Sequence, residues 1–277
     1  MNTLDYWSLK QLPFADGVDR EHPFFGPPQR DALAAIHDLF RQDRQIAMLV
    51  APTGCGSTTL LHWVAAASGI GQHAIETVQA LGPAKSPSDA MRKIEERLLS
   101  HQADSALGQT LPTTERANDL DPNRISRHFD ALRHLDALRR RGIVPFLLID
   151  RADAPFTQAA CRIVESSESA RILLAVRPAQ AAPLAAMAGV RPLTIPLRPL
   201  TEDESRLFVR HELATAGGRP SLFDPFAIRA LHDLGDGRIA AISSLARRAL
   251  VIAADAGSRC VTAADVESAY RREAQAA

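Results

Sequence analysis

Apolar residues fall along this chain in two kinds of run, and the two kinds alternate. Short, nearly unbroken runs at residues 46–50, 73–78, 144–150, 171–176 and 193–195 read as strands of a buried sheet. Between them, apolar residues recur every three or four positions, as a helix face requires. Ala32, Leu33, Ile36, Leu39 and Phe40 make one such face, and Leu60, Leu61, Val64 and Ala67 make a second that Gly69 stops. Ser88 is placed to cap a third, with Met91, Ile94 and Leu98 inward, and Ile125, Phe129, Leu132 and Leu135 mark a fourth. Residues 102–123 show no period and carry Gly, Pro, Thr, Asn and Asp, so a long loop or insertion is expected there.

After Pro199 the pattern is helical only. Thr201 and Glu204 form a capping box ahead of Leu207 and Phe208, and Gly217-Gly218 ends that helix. Asp224-Pro225 opens the next, residues 237–254 span a third, and Thr262 caps a fourth. The expectation is an α/β fold. A parallel sheet flanked by helices covers residues 1–197, with a short lead-in at 1–28, and a small all-helical lid covers 198–277.

Chemistry enters where the first strand ends. Residues 50–59 read V-A-P-T-G-C-G-S-T-T, a glycine loop between a strand and a helix. The phosphate-binding pattern G-x-x-x-x-G-K-[ST] would place Gly at Ala51, Gly at Gly56, Lys at Ser57 and Ser or Thr at Thr58. Gly56 and Thr58 fit, whereas Ala51 and Ser57 do not. Gly54 and Gly56 let the backbone turn its N–H groups towards an anion, and the helix start adds partial positive charge. Pro52, Thr53, Gly54, Cys55, Gly56, Ser57, Thr58 and Thr59 are therefore the candidate nucleotide-binding residues, without the cation that reaches the outer phosphates. A second element supports the first. The strand at 144–150 ends in Asp150, where a carboxylate would organise magnesium together with Thr58. The next residue is Arg151 where a glutamate base usually stands, and Asp153 lies in a different turn.

Composition narrows the possibilities. With 32 basic and 32 acidic residues the net charge is zero, so no overall pull towards nucleic acid or membrane is expected. Arg139-Arg140-Arg141 sits at a helix end before Gly142, where cations complement the dipole. The three cysteines, Cys55, Cys161 and Cys260, are scattered with no metal or redox spacing, which suits a reducing compartment. No apolar targeting run follows Met1 and no run reaches about 18 apolar residues, so a soluble cytoplasmic protein is expected.

Read in order, Tyr6-Trp7-Ser8-Leu9-Lys10-Gln11-Leu12-Pro13-Phe14, Pro23-Phe24-Phe25, the P-T-G-C-G-S-T-T-L-L run, the L-L-I-D strand end, Leu197-Arg198-Pro199-Leu200-Thr201 and Gly235-Asp236-Gly237-Arg238 resemble the ExeA/GspA-like AAA+ ATPases. The TniB and MuB transposition ATPases are more distant likenesses. The resemblance covers almost the whole chain. It implies ATP or ADP with magnesium as ligand, Asp150 as the magnesium-organising aspartate, and Arg238 as the sensor-2 arginine reaching the nucleotide from the lid. It further implies Arg191 as an arginine finger offered to a neighbouring subunit. The chain departs from that pattern at Ala51, Ser57, Arg151 and Arg177, the last standing where a polar sensor-1 residue is usual. No peptidoglycan-binding module or membrane segment follows the lid, so a secretion role is not expected.

Losing one charge-assisted hydrogen bond to phosphate costs about 1.5–3 kcal/mol, and about 1.4 kcal/mol is tenfold in affinity. Nucleotide binding is thus expected to be weak or absent. Replacing the base removes about 10²–10⁴-fold of rate, so hydrolysis is doubtful. The reading is a degenerate, pseudo-ATPase subunit that regulates or scaffolds through protein partners, either itself or an active AAA+ paralogue. The alternatives are a slow ATPase completed by a partner and a DNA-binding regulator of the transposition type.

Overall fold

The computed structural model describes residues 3–15, 23–106, 123–189 and 191–276. In chain order the first half runs α1 (Thr3–Trp7), α2 (Pro27–Arg41), β1 (Ile46–Val50), α3 (Ser57–Ala65), β2 (Gly69–Ile70), β3 (His73–Leu81), α4 (Pro87–Ala106) and α5 (Asn123–Arg140). The second half runs β4 (Ile143–Asp150), α6 (Ala154–Ser166), β5 (Arg171–Val176), α7 (Pro178–Met187), β6 (Leu193–Pro196), α8 (Glu202–Thr215), α9 (Pro225–Gly235), α10 (Ile239–Asp255) and α11 (Ala263–Ala276). The chain divides into two compact units. One comprises Ala32–Ala51 and Leu60–Pro196, the other Met1–Asp31, Pro52–Thr59 and Leu197–Ala277.

The first unit is built on a six-stranded sheet in the order β2-β3-β4-β5-β1-β6, parallel except for the short β2–β3 pair. Strands β1, β4 and β5 are apolar almost throughout because a parallel sheet is covered on both faces. Ile46, Met48, Val78, Leu147, Ile149, Ile172 and Leu174 join Ile94, Leu98, Phe156 and Ile163 of the helices in one core. Register brings the ends of β1 and β5 level, Val50 opposite Val176, and pairs Ile149 of β4 with Leu174. Asp150 and the start of the glycine loop thus leave the same, C-terminal edge of the sheet, on either side of β5. Ligands of open α/β sheets bind at that edge.

The second unit is helical, and its core joins distant parts of the sequence. Trp7, Leu9 and Phe14 are buried with Leu200, Phe208, Leu213, Phe223, Leu231, Ile242 and Leu245. Trp7 Nε1 donates to the Leu250 carbonyl at 3.0 Å, Lys10 N to Ala216 O at 2.9 Å, and Phe14 N to Glu212 Oε2 at 2.9 Å. The capping box forms as expected, with Thr201 N donating to Glu204 Oε2 at 2.8 Å. Asp224 caps α9 through Ala227 N. Thr262, ahead of α11, bonds Asp265 through both its N–H and its hydroxyl.

Several expectations are corrected. The cap of α4 is Ser86 and not Ser88: Ser86 Oγ accepts from Asp89 N at 3.1 Å, because Pro87 takes the first helical position and the cap falls two residues upstream of the expected one. The stretch 102–123 is helical at both ends, α4 continuing to Ala106 and α5 starting at Asn123, while 107–122 lie outside the described residues. Phe129 points outward and is 60% exposed, although Leu135 of the same helix is buried as expected. Helix α3 ends at Ala65, and Gly69 belongs to β2, a strand too short to leave a period in the sequence. Strand β3 extends to Leu81, and α10 begins at Ile239, after the turn. Among the described residues no helix is long and apolar enough to cross a membrane.

Candidate functional site

Strand β1 ends at Val50, and Ala51 N donates to Val176 O at 3.0 Å, which pins the point where the loop leaves the sheet. The loop then turns on Gly54 and Gly56, with φ of +87° and +91°, conformations that only glycine adopts without strain. Those two residues flank Cys55, whose side chain is packed away at 1% exposure. The chain is thereby turned towards the start of α3, with Cys55 N donating back to Pro52 O at 3.3 Å; glycine turns of this kind are what anion-binding nests are built from. Helix α3 supplies the positive end of its dipole at Ser57.

The same unit brings the start of α10 against this loop. Ala240 N donates to Gly54 O at 3.0 Å, and a Cβ on Gly54 would stand 3.2 Å from Ala240 Cβ and 3.7 Å from Arg238 Cβ. The turn at 235–238 sets this up. Asp236 adopts the left-handed conformation at the end of α9, and the Gly237 carbonyl accepts from Leu200 N at 2.9 Å. A Cβ on Gly237 would lie 2.2 Å from Leu200 O, so no other residue fits there without moving backbone. Arg238 consequently stands at the entry to α10 beside the loop, with its Nε donating to Gly235 O at 3.4 Å. Burial pushes the Cys55 thiol up, Arg238 opposes that shift and Asp236 adds to it. Cys55 is thereby a packed neutral thiol and not a nucleophile.

Pro52, Thr53, Gly54, Cys55, Gly56, Ser57, Thr58, Thr59 and Arg238 all belong to this unit, and Thr53 and Thr58 are exposed. Asp150, Arg151 and Arg191 belong to the sheet unit. Asp150 ends β4, with its Oδ1 accepting from Arg151 N at 2.9 Å and its carbonyl from Gly82 N at 2.9 Å. Arg151 is exposed and held at φ +50°, a turn conformation. Asp153 caps α6 through Phe156 N at 3.1 Å and accepts from Ala84 N at 2.9 Å, so its carboxylate is committed to structure. Arg177 stands exposed at the start of α7 without capping it. Arg191 precedes β6, at the opposite end of the strands from Asp150, and its carbonyl accepts from Arg44 at 3.1 Å. The fold does not bring Arg191 to the Asp150 end.

Among the described residues there is no cluster of three or more His, Cys, Asp or Glu side chains placed to hold a metal. Thr58 and Asp150 offer a hydroxyl and a carboxylate, the hard oxygen donors that magnesium takes when phosphates and water complete its shell. Each group by itself, on the loop and at the strand end, has the donor chemistry of a magnesium ligand. Gln29, at the start of α2, is a neighbour of the loop that the sequence did not reveal: Nε2 donates to Cys55 O at 3.5 Å. A polar residue near a helix start reads as a solvated cap, and only the fold shows it buried.

No family model and no curated protein matches this sequence. Solved structures match its fold. The Aeropyrum pernix ORC2 protein in ADPNP–ADP complexes superposes with a TM-score of 0.61 over 92% of this chain and 70% of that one, at 15% identity. Drosophila ORC bound to DNA gives 0.55 over 92% and 69%, at 14% identity. The Thermotoga maritima RuvB Holliday junction branch migration motor gives 0.53 over 90% and 70%, at 13% identity. The fold is that of the AAA+ P-loop ATPases.

Proposed function

We propose that this chain is an ExeA-like AAA+ subunit with a degenerate nucleotide site, binding ATP or ADP weakly, hydrolysing it at background and acting through protein partners. One observation carries this: the loop turns on Gly54 and Gly56 as a phosphate cradle would and lies beside Arg238 of the same unit, yet its lysine position holds Ser57. Under this reading residues 1–197 form the nucleotide-binding domain and 198–277 the lid. The loop N–H groups take the phosphates, Arg238 faces them from the start of α10, and Thr58 with Asp150 would hold magnesium. Bound there, the ion supplies charge neutralisation on the outer phosphates. No glutamate follows Asp150 to activate water, and Asp153 is a cap, so the step that needs a base has none at the strand end. The absence of net charge weighs against a DNA-binding reading, for which salt-dependent retention on DNA is the check.

The test is calorimetric titration with ATP, with and without magnesium. Ser57→Lys should tighten binding by about one to two decades, the worth of one charge-assisted bond to phosphate. Turnover should stay at background until Arg151→Glu is added. Clear magnesium-dependent hydrolysis by the wild type, abolished in Asp150→Ala, would overturn the pseudo-ATPase reading; unchanged affinity in Ser57→Lys would show that the loop is no phosphate cradle.

A further inference from the structure

Gln29 is 4% exposed, and its carboxamide is half used. One N–H of Nε2 donates to Cys55 O at 3.5 Å, a long bond, while Oε1 is shut off from solvent with no donor among the described residues. Leaving a buried amide oxygen unpaired costs about 1–3 kcal/mol, so the group is either strained or waiting for a ligand. Its position favours the second. The amide abuts the middle of the glycine loop, and Cys55 O is the atom that ties it there. An aromatic ring lies near it. A Cβ placed on Gly26 would lie 3.2 Å from Gln29 Oε1 and 2.7 Å from Phe24 Cε1, so amide oxygen and ring share one side of Gly26. Phe24 is half-buried, with Phe208 at 5.3 Å and His211 at 5.6 Å between ring centres.

Resting on the nucleotide reading above, we infer that Gln29 reads the base of the bound nucleotide and selects one that carries an exocyclic amino group. A carboxamide offers one acceptor and one remaining N–H, the pair that matches an adenine edge: Oε1 accepts from the 6-amino group and Nε2 donates to a ring nitrogen. A 6-oxo purine sets its carbonyl against Oε1, so two acceptors meet and both stay unpaired. Sites built around such a bond reject the analogue that lacks it far better than apolar pockets discriminate by size. Because Oε1 is closed to solvent, entry of a base requires Phe24, on the same side of Gly26, to move.

Titrating the full chain with ADP and with IDP tests this. ADP should bind about fivefold to a hundredfold tighter, the factor by which leaving a buried acceptor unpaired weakens binding. Gln29→Met keeps the length of the side chain and removes both polar atoms, so ADP affinity should fall to that of IDP while IDP affinity stays put. Equal affinity of the wild type for the two nucleotides overturns the inference, as does equal weakening of both in Gln29→Met, which would make Gln29 a support for the loop only. If neither nucleotide binds at millimolar concentration, the nucleotide reading itself fails and this inference with it. Should Gln29→Met not fold, the wild-type pair of titrations decides alone.

Discussion

Glu204 is the residue whose charge matters most to the helical unit. Arg198 grips it through both carboxylate oxygens, at 2.7 and 2.8 Å, and Thr201 N adds a bond at 2.8 Å. The Arg198 hydrogen bonds, outweighing burial, hold its pKa down at about 2 against an ordinary 4.5. A carboxyl depressed on folding stabilises the protein fully above its unfolded pKa and loses that contribution as pH falls towards its folded one. Stability should therefore decline between about pH 4.5 and pH 2 more steeply in the wild type than in Glu204→Gln, as chemical denaturation across that range will show; parallel curves would mean that Glu204 is not the group responsible. At this scale the sequence was a good guide wherever a residue type has one geometric use. Gly54 and Gly56 announce a turn, and Thr201 with Glu204 announces a cap. Gln29 carried no such mark, because its partner Cys55 lies 26 positions away and nothing local forecasts that approach.

Among the elements, the turn from α9 to α10 sets where α10 meets the glycine loop. Gly237→Ala puts a methyl group 2.2 Å from Leu200 O in a conformation with φ of +65°, so a loss of about 2–4 kcal/mol is expected, read as a lowered midpoint in urea. A loss under 1 kcal/mol would mean that the turn relaxes freely and does not fix Arg238. The strands that feed the site were legible because burial on both faces writes an unbroken apolar run. Helices α6 and α7 were not picked out: each follows its strand directly and opens at Asp153 or Arg177 with a proline within two residues, a signal easily absorbed into the strand-end motif. The end of α4 failed for a different reason, since residues beyond Leu98 carry little apolar period while helix geometry persists to Ala106.

At the scale of the molecule, Arg191 is exposed at the far end of the strands from Asp150, and under the proposed reading it faces a neighbouring subunit. Mixing the chain with an intact paralogue from the same cell should change the paralogue's ATPase rate, and Arg191→Ala should diminish that change. A chain that stays monomeric at high concentration and leaves the rate untouched would end the partner reading. The α/β plan was visible from alternating periods alone, whereas the grouping of the glycine loop with the helical unit was not, because it depends on contacts between residues 54 and 240.

The helical core that closes over Trp7, Leu9 and Phe14 also constrains how the protein is made. Phe14 meets Phe208 and Phe223, whose rings lie 6.0 and 5.9 Å away, across a stretch of chain that a ribosome needs roughly 10–40 s to extrude at about 5–20 residues per second. For that interval the opening segment presents a tryptophan and a phenylalanine with nothing to bury them. The sheet unit, complete by Pro196, has the chance to form first. Nascent chains of this protein should thus be most prone to aggregation, and most in need of a holding chaperone, until α8, α9 and α10 have emerged.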